Sequence, residues 1–122
     1  MDTAQLIQRC LAGDTSAIET LVQTYQSDLY RLALLVLDDP AEADEAVQEA
    51  FLSAFRALHT FQGNSSLKTW LLSITVNECH NRLRRRGRFR RLVERLQVFY
   101  RLREDPPPPE RDAIRREENE AV

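Results

Sequence analysis

The chain has 122 residues, 43% of them hydrophobic and 30% charged, with a formal net charge of -2. That balance suits one small domain with a modest core, and it excludes a chain too polar to fold. No apolar run approaches the ~18–20 residues that cross a bilayer, so no membrane partner is expected.

The first residues, "MDTAQLIQRC", lack a basic region followed by an apolar stretch, so no secretory leader is expected. Hydrophobic residues recur with helical period and no stretch alternates with period two, which predicts an all-α fold. The expected architecture is a compact bundle of about four helices, an extra C-terminal amphipathic helix and a proline-rich linker. Helix one spans about 3–12, with Leu6, Ile7, Cys10 and Leu11 as its stripe and Gly13 at its end. Asp14 caps helix two, about 15–37, whose stripe runs through Ile18, Leu21, Val22, Tyr25, Leu29, Leu32, Ala33 and Val36. In "DDPAEADE" Asp39 fits the N-cap, Pro40 the first helical position and Glu42 the third. Helix three, about 40–59, then buries Ala43, Val47, Ala50, Phe51, Ala54, Phe55 and Leu58. "HTFQGNSS" is a loop, and Ser65 or Ser66 caps helix four, about 66–86. Gly87 interrupts, "RFRRLVERLQVFYRLRE" forms a further amphipathic helix, and "DPPPP" is extended. The domain reading is therefore 1–87, an extension over 88–104, and a linker with the start of a further module over 105–122. Cys10 and Cys79 sit at apolar helical positions and read as reduced core residues of a cytoplasmic protein.

The net charge conceals segregation. Residues 1–50 hold ten acids against Arg9 and Arg31, while residues 51–103 hold twelve bases against Glu78 and Glu94. Ten of those bases are arginines within residues 82–103, a clustered stripe that suits nucleic acid. The alternative is a solvated surface, or attraction between the two halves.

On a helical wheel, at about 100° per residue, Leu72, Val76, Cys79 and Leu83 share the stripe expected to face the core. Trp70, Ile74, Asn77, Asn81 and Arg84 share the other. Each residue type there has a use on nucleic acid. A carboxamide offers a donor and an acceptor to a base edge, tryptophan stacks on an unpaired base, and arginine pairs with phosphate. The alternative is that Trp70 and Ile74 pack on a neighbouring helix while the asparagines are merely solvated. The preceding "FQGNSSLKTW" brings Phe61, Gly63 and Lys68 beside a helix N-terminus, where free backbone N–H groups favour anionic ligands.

Catalysis is not expected. His59 and His80 are far apart in sequence, and Cys79 and His80 point about 100° apart on a helix. No metal-ligand spacing, phosphate loop or nucleophile motif is present. No catalytic residue, metal or cofactor is assigned.

"PAEADEAVQEAFLSAFRAL" followed by "FQGNSSLKTWLLSITVNECHNRLRRRGR" resembles region two of bacterial RNA polymerase sigma factors of the extracytoplasmic-function class, over roughly residues 3–90. The resemblance implies a transcription initiation factor. Its first segment would bind the clamp helices of the largest subunit of core RNA polymerase through Asp44, Glu45, Gln48, Glu49 and Leu52. Its second would read and open the promoter minus-ten element as single-stranded non-template DNA. On that resemblance Phe61, Gly63, Asn64, Ser65, Ser66 and Lys68 form a loop holding a flipped base. Trp70 sits near the melting point, Asn77 and Asn81 face promoter bases, and Arg82, Arg84, Arg85, Arg86 and Arg88 track phosphates. An anti-sigma protein is a further implied partner. Two departures stand out. Trp-Leu replaces the tryptophan pair of primary sigma factors, which implies weaker melting. The second, helix-turn-helix domain of the family has no counterpart here, with "PPPPERDAIRREENEAV" resembling its approach, so a fragment is expected, with a natural one-domain protein as the alternative. The competing function is a helical regulator that binds duplex DNA or RNA without polymerase.

Overall fold

The computed structural model describes residues 2–103; the proline run and the start of a further module, expected over 105–122, lie outside them. The described elements are α1 (Thr3–Leu11), α2 (Thr15–Leu37), α3 (Pro40–Ala57), a 3₁₀ turn (Leu58–Thr60) and α4 (Leu67–Arg103). No strand occurs among the described residues. They fall into two units that divide between Asn81 and Arg82.

Local chemistry sets the helix ends. Asp2 accepts from the Gln5 N–H and caps α1. At its other end the Gly13 N–H donates to the Cys10 carbonyl and the Asp14 N–H to the Arg9 carbonyl, both at 3.0 Å. That pair of bonds satisfies two carbonyls the helix leaves open, and it needs the left-handed residue between them. Gly13 supplies it at φ 81. Asp14 then starts α2 by accepting from the Ser16 and Ala17 N–H groups. Its other oxygen takes the Arg9 guanidinium, with Nε at 2.8 Å and Nη2 at 2.6 Å. The Arg9 hydrogen bond, helped by the two backbone N–H donors and opposed by some burial, holds the Asp14 carboxyl below its ordinary range. Asp38 ends α2 in the left-handed region at φ 53, a conformation aspartate tolerates better than most residues. Asp39 caps α3 through the Ala41 and Glu42 N–H groups, with Pro40 in the first turn.

In the first unit α2 packs on both α1 and α3. The core is built from Leu6 and Cys10 of α1, Leu21, Leu29, Ala33 and Leu37 of α2, an alanine-rich stripe of α3 with Val47 and Phe51, and Leu67, Leu71 and Cys79 of α4. Ala43, Ala46, Ala50 and Ala54 line the α3 stripe, and such small side chains let neighbouring backbones approach closely. Cys10 and Cys79 are buried thiols outside any disulfide. Burial, with Asp14 adding and Arg9 opposing, pushes the Cys10 thiol up.

Several expectations are corrected. Leu11 is 51% exposed rather than part of the core stripe. It lies in the last turn before Gly13, where the chain turns away. Helix three ends at Ala57 and tightens into the 3₁₀ turn instead of running to 59. Gly87 does not interrupt: it lies inside α4, so residues 88–103 belong to that helix rather than to a separate one. A single glycine costs a helix only about 1 kcal/mol relative to alanine, too little to end one supported on both sides.

The larger correction concerns α4. Its buried residues are Leu67, Leu71, Thr75 and Cys79. Leu72 and Val76, expected to face the core, are half-buried, and Leu83 is 37% exposed. Thr75 reads as polar in the sequence, yet it is wholly buried. Its hydroxyl donates to the Leu71 carbonyl at 2.9 Å, so the side chain presents only its methyl to the core. The true stripe runs between the two expected from the sequence and rotates both onto its flanks.

Candidate nucleic-acid interface

The 3₁₀ turn delivers the chain to Phe61, whose N–H returns to the Leu58 carbonyl at 3.1 Å. Gly63 turns the loop at φ 75, a conformation glycine adopts without strain. Of the two candidate serines, Ser66 is the cap: its Oγ accepts from the Thr69 N–H at 3.1 Å and donates to the Thr69 hydroxyl at 2.9 Å. Ser65 is exposed and donates to the Ser66 carbonyl at 3.2 Å. Capping fixes the first turn of α4 and with it the direction of Trp70, whose N–H donates to the Ser66 carbonyl.

Across the loop the Phe61 and Trp70 rings lie 5.2 Å apart at 54°, a tilted aromatic contact. Both rings are half-buried, resting on the core with part of each surface open. Beside them is a shallow cleft of about 150 Å³, lined by Thr60, Phe61, Gln62, Asn64, Ser65 and Trp70. A second concavity, of about 410 Å³, shares Phe61 and is bounded by Ile7, Tyr25, Leu67 and Lys68. The Lys68 ammonium stands 3.7 Å from the Asp28 carboxylate of α2, both partly exposed. Such a pair is worth little, so Lys68 is held only loosely by Asp28.

Asn77 and Asn81 are exposed, and a spacing of four residues puts them one turn apart on one face. With Trp70 and Ile74 they occupy one flank of the buried stripe. Trp70 and Ile74 pack partly against the core, as the sequence alternative allowed, and Asn77 and Asn81 carry the flank into solvent. In the second unit Arg84, Arg85, Arg86 and Arg88 are exposed and Arg82 is half-buried. On α3, Asp44, Glu45, Gln48, Glu49 and Leu52 are all exposed. The Gln48 amide donates to the Asp44 carboxylate at 3.1 Å, and Leu52 is 49% exposed at the end of this acidic face.

Sequence reasoning missed three participants. Thr60 and Gln62 flank Phe61 in the same loop, and only the closing of the cleft reveals them. Asp28 meets Lys68 across forty residues, with no local signal. Among the described residues no group of three or more His, Cys, Asp or Glu could hold a metal ion, and no helix is long and apolar enough to cross a membrane.

Residues 21–89 match the model for Sigma-70 region 2. The chain is 42% identical over 84 residues to the RNA polymerase sigma-H factor of Pseudomonas aeruginosa, covering 69% of this chain and 44% of that protein. It is 41% identical over 85 residues to the ECF RNA polymerase sigma-E factor of Escherichia coli, covering 68% and 43%. The chain thus spans less than half the length of these curated relatives. It also resembles the NMR structure of an engineered region 2 of sigmaE in complex with GTAAAA. The TM-score is 0.64 and the identity 36%, over 72% of this chain and 92% of that one.

Proposed function

Because the chain belongs to the Sigma-70 region 2 family, in its extracytoplasmic-function branch, we propose that it serves transcription initiation by binding core RNA polymerase through α3 and promoter minus-ten DNA through α4 and the loop before it. One observation carries the reading: Asn77 and Asn81 stand exposed one turn apart, on the flank that begins with Trp70 against Phe61. A solvated helix face has no use for that order of stacking surface and hydrogen-bonding edges. On a single strand it places an unstacked base near the aromatic pair and its neighbours before the carboxamides.

The cleft beside Phe61 and Trp70 receives a base pulled from its stack, lined by the polar edges of Gln62, Asn64 and Ser65. Lys68 and the arginines Arg82, Arg84, Arg85, Arg86 and Arg88 pair with phosphates, each full contact on a single strand adding about 0.7 to the salt slope. The relative of known structure was solved with GTAAAA, which supports a short single strand as the ligand here.

The acidic face of α3 docks on the clamp helices of the largest polymerase subunit, with Leu52 as its apolar contact. Residues 1–50 hold ten acids against two arginines, so the isolated domain repels DNA and binds it weakly. Docking on polymerase supplies the missing attraction by raising the local concentration of DNA. This work belongs in the cytoplasm, and an anti-sigma protein covering α3 or α4 would silence it.

The test is a pair of titrations. Binding of core polymerase is measured first. Affinity is then compared for a single-stranded minus-ten oligonucleotide, the same sequence as duplex, and a matched RNA, each with and without polymerase. Polymerase-dependent preference for the single DNA strand is expected. Equal or tighter duplex or RNA binding, without polymerase, would replace this reading with that of a polymerase-independent helical regulator.

A further inference from the structure

In the second unit, α4 carries more exposed apolar surface than a charged helix needs. Phe89 is 69% exposed, Leu92 and Leu96 each 52%, Phe99 53% and Tyr100 66%. Monomeric proteins rarely leave such a run of large side chains in water unless something docks there. Residues 89, 92, 96 and 99 follow one another at intervals of three, four and three. That is the spacing of a seam between two packed helices, in which alternating apolar side chains insert into holes on a partner. A strand of nucleic acid reads phosphates and stacks on aromatic rings, and it has no use for Leu92 and Leu96 in that register.

The flanks say which helix fits. Residues just beside such a seam choose the partner by charge. Here Arg88 and Arg95 fall on one edge, with Arg91 beyond them, all exposed. Within residues 82–103 ten arginines stand against Glu94 alone. A second copy of this chain would bring two such arginine-rich helices side by side, and their like charge disfavours it as the occupant. We propose that Phe89, Leu92, Leu96 and Phe99 form a docking seam for an acidic amphipathic helix of a partner protein, with Arg88 and Arg95 pairing to carboxylates beside its apolar stripe.

The test uses the whole chain and two synthetic helices of about four heptads, both with leucine at the seam positions. One carries glutamate at the flanking positions, the other lysine. Fluorescence anisotropy of the labelled peptides is expected to show binding of the glutamate peptide, at least about tenfold tighter than the lysine peptide. The double variant Leu92→Gln/Leu96→Gln keeps good helix formers at half-exposed sites. It should weaken the glutamate peptide about tenfold or more, with helicity by circular dichroism unchanged. Changing the peptide's charge leaves the protein untouched, so misfolding cannot imitate that result. Equal binding of both peptides, binding of neither, or an indifferent double variant would overturn the seam. A dimer in sedimentation that the double variant abolishes would assign the face to a second copy. Loss of oligonucleotide binding in the double variant, with peptide binding unchanged, would assign it to nucleic acid. None of these measurements uses polymerase or a promoter, so they stand apart from the test of the initiation role.

Discussion

Trp70 rests against Phe61 with ring centroids 5.2 Å apart and planes at 54°, so the first turn of α4 and the loop before it share one aromatic contact. The chain has a single tryptophan, and its fluorescence therefore reports on the surroundings of Trp70 alone. Phe61→Ala should red-shift that emission by wetting the ring face it uncovers. A minus-ten single strand should quench the emission of the native chain by stacking on it. Trp70→Ala should lower single-strand affinity by about 1–3 kcal/mol. Emission indifferent to both Phe61→Ala and the oligonucleotide would remove the aromatic pair from the binding surface.

Asn77 and Asn81 test whether the exposed flank reads bases. Asn77→Ala and Asn81→Ala are expected to change the ranking among minus-ten variants, by about 1–3 kcal/mol for the base each one reads. Arg85→Ala should weaken all sequences alike and reduce the salt slope by about 1. The measurement is a panel of single-base substitutions titrated at two salt concentrations. A uniform loss with Asn77→Ala would deny it a base contact.

Thr75 separates core position from polar role. Its hydroxyl is already bonded to the Leu71 carbonyl, so Thr75→Val exchanges that bond for a methyl of similar shape and should shift stability by less than about 1 kcal/mol. Leu71→Ala, at 1% exposure, should cost about 2–5 kcal/mol through the cavity left behind. Urea unfolding of both variants gives the comparison. A large loss for Thr75→Val would mean that the hydroxyl has a second task.

Asp14 makes stability depend on acid. Its carboxyl is held below the ordinary value near 3.8, chiefly by the Arg9 hydrogen bond. A folded value below the unfolded one adds stability that is fully present above about 3.8 and lost as the pH falls through the folded value. Asp14→Asn keeps a good N-cap but cannot titrate. The urea midpoint of the native chain should therefore fall more steeply than that of the variant below pH 3.8. Parallel midpoints across that range would show that the Arg9 contact does not persist in solution.

The glycines should respond with opposite signs. A Cβ added at Gly13 would meet open space, but the residue sits at φ 81, so Gly13→Ala should destabilise by about 1 kcal/mol through backbone strain alone. Gly87 is helical, and the nearest atom to an added methyl is the Arg91 guanidinium at 3.8 Å. Gly87→Ala should then stabilise its helix by about 0.5–1 kcal/mol. Thermal unfolding followed by helicity distinguishes the two.

Helix ends were legible because their chemistry is local. Asp14, Asp39 with Pro40, and Gly13 each act on backbone groups within a few residues, so spacing alone identifies them. The family was legible for a similar reason: "PAEADEAVQEAFLSAFRAL" and "FQGNSSLKTWLLSITVNECHNRLRRRGR" are contiguous. The rotation of α4 was not legible. A wheel resolves about 100° per residue, and Thr75 reads as polar until its hydroxyl is seen bonded to the preceding turn. With Thr75 left out of the apolar pattern, the wheel selects Leu72 and Val76 instead.

By itself, then, the sequence determined an all-α fold, the caps at Asp14 and Asp39, the segregation of acid from base and the one-turn spacing of Asn77 and Asn81 along one helix. Only the tertiary structure decided which side of that helix the core claims, and that Phe61 meets Trp70 and Asp28 meets Lys68 across the loop. The reason is physical: caps and periodicity are settled by neighbours in the chain, whereas burial and long-range pairing depend on which surfaces compete for the same interior volume once the helices come together.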